Sequence, residues 1–574
     1  MKKYLFLLLC IGSVISLYAQ NVGIGTLLPL AKMHIQGSAD ISQLLIDANV
    51  TQTNANPLVR FRKSTGEDLM WLHSDDTSNV FLGLKAGRVN IIGPQGVNNT
   101  FIGSRVGYSN TNGRDNTALG TNALLSNTKG SQNTAIGTSA LFSQSFSPGG
   151  AFYLTNNVAI GFESLYTNQP ISGTSGVNNT AVGMSSMRSN TIGASNTATG
   201  AFALYLNTTG NSNTAIGYTA LNSNTTGGEN TAVGKGALFT QSYFNGGNVW
   251  VGANVAIGFE ALFLSQPSTA SDGRYNTAIG HTSLRNNSTG HHNTCVGYQS
   301  MILNTTGYNN TVMGVAALSN NSSGHYNAVF GNVALISNTT GSDNTAVGGS
   351  TLSSNTTGGS NTAIGGDALG FLVGGTANIA LGRASGTALG SPNVNNTISI
   401  GNDGYLNAAS NQAFIGNLST AWIGGQTTWF TYASDARVKN NVKEDVQGLS
   451  FIERLRPVTY NLNITAMLQI TGNKETEDYP EKYDVEKIKQ SGFLAQEVEK
   501  AAIASGYNFS GITIPKNENE LYTMSYAQFV VPLVKAVQEL SSKNNAQDII
   551  IENMKAENAI LVARIEKIEK LLGE

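Results

Sequence analysis

Residues 213–229 read NTAIGYTALNSNTTGGE, and this stretch sets the pattern for most of the chain. Its opening, Asn-Thr-Ala followed by Ile or Val and then Gly, recurs mostly at steps of 17 residues. A fixed period of this size is typical of a solenoid, in which each unit buries its apolar side chains against its neighbours. The Asn that opens each copy lies at Asn99, Asn116, Asn133, Asn157, Asn179, Asn196, Asn213, Asn230, Asn254, Asn276, Asn293, Asn310, Asn327, Asn344, Asn361, Asn378 and Asn396.

Two regions depart from the 17-residue step in the same way. After Asn133 the next two steps are 24 and 22 residues, and the same pair of steps follows Asn230. The segments NVAIGFESL (157–165) and NVAIGFEAL (254–262) are 97 residues apart and nearly identical. A block of five repeats has therefore been duplicated within the chain.

The repeat composition favours strands over helices, because Gly, Asn and Thr are among the poorer helix formers. Gly and the Asn-Thr pairs fall where tight turns need positive φ or a side chain that satisfies the backbone. Stacked strands about 4.8 Å apart would make the repeats into a rod about 80 Å long. We predict a mainly β fold, with a β-solenoid over residues 96–405 and a connector over 406–430.

Each predicted turn offers few and mostly small apolar groups, so an isolated chain would have a thin core for its surface. Association of several chains would remedy this. The motifs NTAIG, NVAIG and NTAVG resemble the head repeats of trimeric autotransporter adhesins, which form a trimeric left-handed β-roll. The resemblance implies a homotrimeric surface fibre of adhesin or tail-fibre type, with a cell-surface or glycan receptor as a possible partner.

The overall composition excludes several classes of protein. Only 12% of the 574 residues are charged, 40% are hydrophobic and the net charge is −2. A disordered tail needs high net charge and low hydrophobicity, and binding to nucleic-acid phosphates needs a clustered basic surface. We therefore expect an ordered, repetitive protein that binds no nucleic acid.

The first 19 residues, Met1 to Ala19, have the features of a secretory signal peptide. Lys2 and Lys3 precede an apolar run from Tyr4 to Leu17, which is the order typical of exported proteins. No later segment approaches 18 uninterrupted apolar residues. We therefore expect a secreted, extracellular or cell-surface protein without a transmembrane span.

Residues 20–95 are predicted to form a β-rich cap or attachment region. Within them, VRFRKSTGEDLMWLHSD (59–75) indicates short strands joined by a turn at Ser64–Asp68. Of the two cysteines, Cys10 lies inside the predicted signal peptide. Cys295 is then alone in the exported chain, and we expect no intrachain disulfide.

The C-terminal region has a different composition. Residues 431–574 hold 17 Lys and Arg and 21 Asp and Glu, which is 38 of the 68 charged residues. Four motifs follow one another there: SDARVKNNV (434–442), LRPVTYNL (455–462), SGFLAQEVEKA (491–501) and YTMSYAQFVVPLVKAVQELS (522–541). This ordered set closely resembles the intramolecular chaperone domain of endosialidases and other tail spikes, peptidase family S74. We predict an α+β chaperone module over 431–545.

The resemblance implies what this module does. In that family the domain drives trimerisation of the β-fibre before it and then cuts itself off immediately before a serine, using a Ser/Lys dyad. Carried over to this sequence, Ser434 is the nucleophile, Lys439 is the base and Ala433–Ser434 is the bond that breaks. The chain would then be an autocatalytic serine endopeptidase that acts once on itself, with no cofactor and no turnover activity in the repeats.

The residues of the module are compatible with that chemistry. All six histidines lie at or before His325, so a serine nucleophile in the module needs a base other than His. A lysine can serve when burial or neighbouring cations lower its pKa. Our hypothesis is that Ser434 attacks the preceding carbonyl through a small ring and gives an ester that water opens. Asp435 is interpreted as a supporting residue that orients Lys439 or the loop, and Arg437 as a surface charge.

The last residues, 546–574, are predicted to form a coiled coil. Their core positions alternate at spacings of 3 and 4 residues over three heptads. Ile at both a and d positions favours three or more strands, and Asn at an a position fixes register. A single amphipathic helix packed on its own domain is the alternative. The predicted core is Ile551, Met554, Asn558, Leu561, Ile565, Ile568 and Leu572.

Upstream of the predicted coiled coil, the apolar residues from Phe529 to Leu540 also have helical spacing. Pro532 is tolerable there only in a first turn or at a kink. We interpret this segment as packing rather than as a ligand groove.

Two other functions are alternatives to a fibre with a self-cleaving chaperone. A glycan-degrading spike would need two facing carboxylates, and the acid-poor repeats offer few candidates, among them Glu163, Glu229, Glu260 and Asp272. An ice- or surface-binding solenoid would instead use the Thr of each NTA as a flat ladder.

The repeats also contain histidines at matching positions, His291 and His325, two periods apart. Residues two rungs apart on one edge are about 10 Å apart, which is too far to share a metal ion. We interpret both as surface turn residues and predict no metal site.

Overall fold

A computed structural model describes residues 22–24, 33–35, 44–47, 56–91, 95–146, 149, 152–402, 407–417, 420, 423, 434–471 and 483–573. The chain forms two compact units, Met1–His292 and Asn293–Glu574. The predicted signal peptide lies outside the described residues, as do residues 406, 418–419, 421–422 and 424–430 of the predicted connector. None of the helices in the described part of the chain combines the length and the hydropathy that crossing a bilayer requires.

The first unit is dominated by short parallel strands, each paired in register with the strand of the next turn. The repetitive β-solenoid predicted from the sequence is thereby confirmed. The strands are Val80–Leu82, Thr100–Ile102, Thr117–Leu119, Thr134–Ile136, Val158–Ile160, Thr180–Val182, Thr197–Thr199, Thr214–Ile216, Thr231–Val233, Val255–Ile257 and Thr277–Ile279.

The repeat sequence explains which side chains each strand buries. In Thr214–Ile216 the central Ala215 pairs with Ala198 on one side and Ala232 on the other. Ala215 is fully buried. Because side chains alternate across a strand, the first and third residues of each triplet lie on the outer face of the sheet. The column of small alanines lets the turns stack closely around a narrow interior.

A ladder of buried asparagines joins one turn to the next. The Oδ1 of Asn196 accepts from the backbone N of Asn213 at 2.9 Å and from its Nδ2 at 3.1 Å. The same Nδ2 also donates to the carbonyl of Gly227 at 2.9 Å. That carbonyl accepts a second bond, 2.9 Å long, from Asn224, whose Nδ2 also donates to Asn207 at 2.8 Å. The Nδ2 groups of Asn213 and Asn224 thus both donate to the preceding turn and to the carbonyl of one glycine.

The corners use backbone conformations that the sequence only partly predicted. Gly217 has φ 135°, and a Cβ there would lie 2.5 Å from the carbonyl oxygen of Gly234 in the next turn. Thr219 and Leu221 also have positive φ, 55° and 51°. Such values are strained for side chains other than Gly. At Leu221 the strain is offset because the side chain is fully buried and the backbone N donates to Ala237 at 2.9 Å.

The N-terminal end of the first unit is antiparallel. Val59–Arg62 pairs with Asp68–His73, and the latter pairs with Val80–Leu82. The turn predicted at Ser64–Asp68 is present, closed by Lys63 N donating to the carbonyl of Glu67 at 2.9 Å. Val22–Ile24 and Met33–Ile35 form a separate parallel pair. The parallel ladder begins at Val80, ahead of the predicted start at residue 96.

The two long inserts of the first unit each form an extra strand pair. Gly130–Ser131 pairs with Tyr153–Leu154, and Gly227–Gly228 pairs with Trp250–Val251. These pairs occupy equivalent places in the two duplicated blocks. The strands that follow each insert remain in register with the ladder. The inserted residues therefore leave the stacking of the turns unchanged.

The second unit contains its own series of the same type of strand, again parallel and in register. Cys295 takes the buried alanine position and is fully buried. The strands are Thr294–Val296, Thr311–Met313, Ala328–Phe330, Thr345–Val347, Thr362–Ile364, Ile379–Leu381, Ile398–Ile400 and Ala413–Ile415, so the ladder runs past the predicted end at residue 405.

One asparagine assigned to the ladder from the sequence was placed one residue too early. Thr397, not Asn396, is buried at the ladder position, where its Oγ1 donates to Asn378 Oδ1 at 2.7 Å. Asn396 is exposed and donates to Asn411 at 2.8 Å. The strand Ile398–Ile400 fixes this register, because its central Ser399 is the buried residue. A threonine hydroxyl can therefore replace the amide at the end of the ladder.

The rest of the second unit is α+β. Its helices are α1 (Leu449–Ile452), α2 (Ile464–Thr471), α3 (Ala495–Ala504) and α4 (Val530–Leu572), with 3-10 turns at Ala436–Val438, Asp484–Lys487 and Tyr526–Phe529. The strand pairs are Val458–Tyr460 with Gln490–Gly492 and Ile512–Thr513 with Thr523–Met524. The small core consists of Phe451, Val498, Ala501, Ala502, Phe509 and Phe529.

Replacing one amide of the ladder by a carboxylate should weaken the solenoid. Asn213→Asp would place an acceptor against Asn196 Oδ1 and the Gly227 carbonyl, and we expect a loss of about 3 kcal/mol at pH 7. The loss should shrink at pH 4, because a protonated carboxyl can again donate one hydrogen bond. Urea unfolding of the exported chain at both pH values measures it.

The matched control is Asn320→Asp, at an exposed asparagine. Its free energy of unfolding should stay within about 0.5 kcal/mol of the parent. Equal losses in the two variants would contradict the assigned role of the ladder.

Candidate functional site

The predicted nucleophile and base lie on either side of a short turn. The turn is the 3-10 helix Ala436–Val438, and Asp435 caps its start by accepting from the backbone N of Arg437 at 2.8 Å. The backbone N of Lys439 donates to the Ala436 carbonyl at 3.2 Å and closes the turn. The chain therefore reverses between residues 434 and 439.

This reversal brings Ser434 and Lys439 together. The Nζ of Lys439 donates to the Oγ of Ser434 at 3.0 Å. Both side chains are exposed in the single chain. A lysine accepts a proton from a serine only after losing its own, which burial or neighbouring cations promote. Ala433, on the other side of the predicted scissile bond, lies outside the described residues.

Asp435 contacts Arg437. The Nη2 of Arg437 lies 2.6 Å from Asp435 Oδ2, and its Nε lies 3.0 Å from the same oxygen. The hydrogen bonds from Arg437 lower the pKa of the Asp435 carboxyl, and the same contact raises the pKa of the Arg437 guanidinium. From the sequence, Asp435 was interpreted as orienting either Lys439 or the loop, and these contacts support the role of orienting the loop. Arg437, interpreted from the sequence as a surface charge, also binds this turn.

The predicted coiled-coil residues lie along one side of α4. The apolar ones, Ile551 to Leu572, are between 48% and 78% exposed. All residues from 540 to 573 are exposed, so the alternative of a helix packed along its own domain does not describe this segment. A long helix with an unburied apolar stripe needs a partner helix to become stable in water.

The same stripe continues toward the start of α4. Counting back by sevens places Val530 and Val537 at a positions and Leu533 and Leu540 at d positions, all between 45% and 64% exposed. Only Pro532 and Ala536 are buried on this part of the helix. The interpretation of Phe529–Leu540 as packing is therefore wrong for most of its apolar residues, because only one side of the helix meets the domain.

The buried side of α4 meets α1. Glu539 Oε2 accepts from the backbone N of Leu449 at 2.8 Å. A Cβ at Gly448 would lie 2.8 Å from the backbone N of Ala536, so the two segments touch closely. Pro532 lies in the first turn of the helix, where its missing N–H costs no helical bond. The helix is thus fixed to the module through one side while the apolar stripe faces outward.

Three of the four acids considered for glycan cleavage, Glu163, Glu260 and Asp272, have other partners. Glu163 and Glu260 form ion pairs of 2.6 Å and 2.8 Å with Arg188 and Arg285. Asp272 accepts from the Ser268 hydroxyl at 2.6 Å. Within the residues that the structure describes, no group of three His, Cys, Asp or Glu side chains is placed to hold a metal ion.

A comparison with protein families addresses the C-terminal module. Residues 434–507 match the family described as chaperone of endosialidase, peptidase S74. The match begins at Ser434, includes the Ser434–Lys439 turn and spans three of the four motifs quoted above. No curated protein matches the chain. The chain thus combines an N-terminal repetitive β-solenoid with a C-terminal region similar to this chaperone family.

Proposed function

We propose that this protein is a secreted surface fibre whose C-terminal module brings three copies together and then cuts itself off before Ser434. The observation that carries the proposal is the 3.0 Å contact between Lys439 Nζ and Ser434 Oγ. It lies at the start of the region that matches the chaperone of endosialidase family. The solenoid before it supplies the fibre.

The proposed cut is an N-to-O acyl shift followed by hydrolysis. Lys439 accepts the hydroxyl proton of Ser434, whose Oγ attacks the carbonyl carbon of Ala433. The bond from that carbon to the Ser434 nitrogen breaks, the nitrogen takes up the proton, and an ester joins Ala433 to the Ser434 side chain. Water then hydrolyses the ester, giving a carboxylate at Ala433 and a free amine and hydroxyl on Ser434.

The exposure of both side chains links this chemistry to assembly. In the single chain Ser434 and Lys439 are in contact with solvent. Neighbouring copies packed around the turn would remove Ser434 and Lys439 from water and create an enclosed site for the reaction. The cut then follows assembly, and loss of the module leaves the fibre unable to return along its folding path.

The exposed stripe of α4 supports three copies. Ile551, Ile565 and Ile568 place isoleucine at both a and d positions, which favours three or more strands over two. Asn558 at an a position would fix the register of the helices. The residues of the helix that are buried against the module, Pro532 and Ala536, lie outside the stripe. The stripe is therefore open to the other copies.

The adhesive role and the location outside the cell rest on the sequence. The predicted signal peptide supports export, and the repeats are similar to those of surface adhesins. A cell-surface or glycan receptor is the partner we propose for the exposed solenoid.

A second candidate is an ice- or surface-binding solenoid. The observation that favours it is the column of in-register threonines Thr180, Thr197, Thr214 and Thr231 on the outer sheet face. Thermal hysteresis measured on the purified exported chain tests it. Freezing-point depression that is lost in Thr197→Leu/Thr214→Leu would support this candidate.

The exported chain should cut itself into two fragments. On a denaturing gel we expect a large fragment and a small one whose N-terminal residue is Ser434. Ser434→Ala should abolish the cut, and Lys439→Met should reduce it by at least about a hundredfold, the usual contribution of a general base. Ser450→Ala and Lys443→Met, at a nearby serine and lysine, serve as matched controls and should cut normally. Cutting at the same bond in Ser434→Ala would exclude the mechanism.

The turn residue Asp435 should affect the rate of the cut without abolishing it. Asp435→Asn keeps an oxygen that can cap the Ala436–Val438 turn, whereas Asp435→Ala removes both the cap and the Arg437 contact. We expect Asp435→Ala to slow the cut by about threefold to tenfold and Asp435→Asn by less. A time course of fragment formation measures both. Identical rates in the parent and the alanine variant would show that the turn needs no cap.

A charge in the α4 stripe should prevent assembly and therefore cleavage. Ile565→Lys places a charge at a core position, while Lys567→Ala changes an outer position of the same turn. Sedimentation should show single uncut chains for Ile565→Lys and cut trimers for Lys567→Ala. Single chains of Ile565→Lys that cut at the parental rate would refute the link between assembly and cleavage.

A further inference from the structure

One corner of the solenoid in the second unit carries a cluster of aromatic rings. The corner is formed by the two residues that precede the ladder asparagine of each turn, and Tyr308, His325 and Tyr326 occupy it in two consecutive turns. The rings of Tyr308 and His325 are stacked, with centroids 4.8 Å apart and planes 4° apart. The Tyr326 ring lies at 77° to Tyr308 and at 74° to His325. The three rings, named here the aromatic corner, thus meet nearly at a right angle.

Hydrogen bonds between turns hold the aromatic corner in place. The backbone N of Tyr326 donates to the Tyr308 carbonyl at 3.2 Å. The backbone N of His325 donates to the Ser342 Oγ at 3.1 Å, and the same hydroxyl lies 3.1 Å from the His325 Nδ1. The Tyr326 side chain is nevertheless exposed, with 53% of its surface open to solvent. The cluster is therefore both ordered and accessible.

These rings are not part of the repeat pattern. Tyr or His occupies the two corner positions in four consecutive turns, at 274–275, 291–292, 308–309 and 325–326, and no aromatic residue or His occupies them in the other repeats. Ser195 and Ser212 stand at the second position in earlier turns, and Ser360 stands there in a later one. Because the turns without rings stack in the same way, the solenoid does not require them.

The backbone makes tyrosine an unfavourable residue at the second corner position. Tyr326 has φ 55°, and Asn309 and Asp343, at the same position in the turns before and after it, have φ 54° and 60°. Asn and Asp adopt this left-handed conformation more easily than a bulky aromatic residue. Residues held there at a local cost cluster at ligand-binding sites. Binding therefore explains the Tyr326 ring better than stability does.

The first unit ends with a related cluster. Tyr275 and His292 occupy the second corner position in its last two turns, and both have φ 56°. Their ring centroids are 4.9 Å apart. The Arg274 guanidinium lies 5.0 Å from the centroid of the Tyr275 ring, which is 42% exposed. Each unit therefore presents an exposed tyrosine at this position.

We propose that the aromatic corner of the second unit binds a neutral glycan. The inference rests on the proposed surface fibre, and it names the site and the chemical class of the receptor. The face of an aromatic ring is partially negative and attracts the C–H groups on the apolar face of a sugar ring. Tyrosine offers this face together with a hydroxyl group, and it loses little conformational entropy on binding.

The residues around the rings fit a neutral sugar. The Asn309 amide and the Asp343 carboxylate stand at the same corner in the turns on either side of Tyr326, where they can bond sugar hydroxyls. Asp343 is the one charged residue at the corner positions of these three turns, so no Lys or Arg there would attract an acidic sugar. A folded protein partner would need roughly 800 Å² of surface, more than three partly exposed rings provide.

A printed array tests the proposal. It carries neutral gluco-, manno-, galacto- and xylo-oligosaccharides, with oligogalacturonates as the acidic comparison. The exported chain is used with Ser434→Ala, so the readout does not depend on cleavage. We expect binding to at least one neutral series and none to the oligogalacturonates. Calorimetry with the best-bound oligosaccharide then gives the dissociation constant.

Two variants and one control locate the binding. Tyr326→Asn copies Asn309, and Tyr308→Ser copies Ser342, the residues at the same positions in neighbouring turns. Each should weaken binding by about tenfold. Tyr298→Ala, at a 48% exposed tyrosine that follows the strand Thr294–Val296 instead of preceding one, should bind like the parent.

Urea unfolding separates binding from a structural role. The midpoint for Tyr326→Asn should equal or exceed that of the parent, because asparagine suits the left-handed backbone better. No binding to the neutral sugars, an equal loss in Tyr298→Ala, or a lower midpoint for Tyr326→Asn would overturn the inference. Failure of the parent chain to cut itself would instead count against the proposed function, and the array would still report on the aromatic corner.

Discussion

The structure depends on satisfying the amides of buried asparagines between turns. Moving an amide from water to an apolar interior costs free energy unless the amide is hydrogen-bonded. Each ladder asparagine is therefore tolerated only where a neighbouring turn supplies a hydrogen-bond partner. Asn213 meets this requirement, because its Nδ2 donates to Asn196 Oδ1 and to the Gly227 carbonyl. A slip of one residue would remove these bonds and expose the buried alanines. The ladder therefore sets the register, and the register decides which side chains lie inside and outside.

The repeat allowed the fold to be predicted because its period, its small central residue and its Gly all agree with stacked strands. What the sequence did not show was the corner conformation. Leucine at positive φ is unfavourable locally, and Leu221 adopts it because the closed turn buries its side chain. The shift from Asn396 to Thr397 was missed for a similar reason. Asn396 precedes a threonine as in the other repeats, and only the strand Ile398–Ile400, with Ser399 buried, shows that the threonine takes the ladder position.

The candidate site could be predicted from the sequence less completely than the solenoid. Ser434 and Lys439 were identified by resemblance, and a separation of five residues alone would not place their side chains 3.0 Å apart. The turn between them does so, and its stabilisation by Asp435 and Arg437 depends on side-chain geometry that spacing does not reveal. The apolar stripe of α4 was predicted only for its last three heptads. Gln547 and Asn544 interrupt it, and without the structure the stretch before them resembles a packed helix.

The way the inserts fit into the ladder has an evolutionary consequence. Steps of 24 and 22 residues still return their asparagines to the ladder, and a block of 97 residues fits as well as a single repeat. Unequal recombination between such repeats would add or remove whole turns without disturbing the stacking on either side. The length of the solenoid could thus change in steps of whole turns between lineages, while the C-terminal module stays the same.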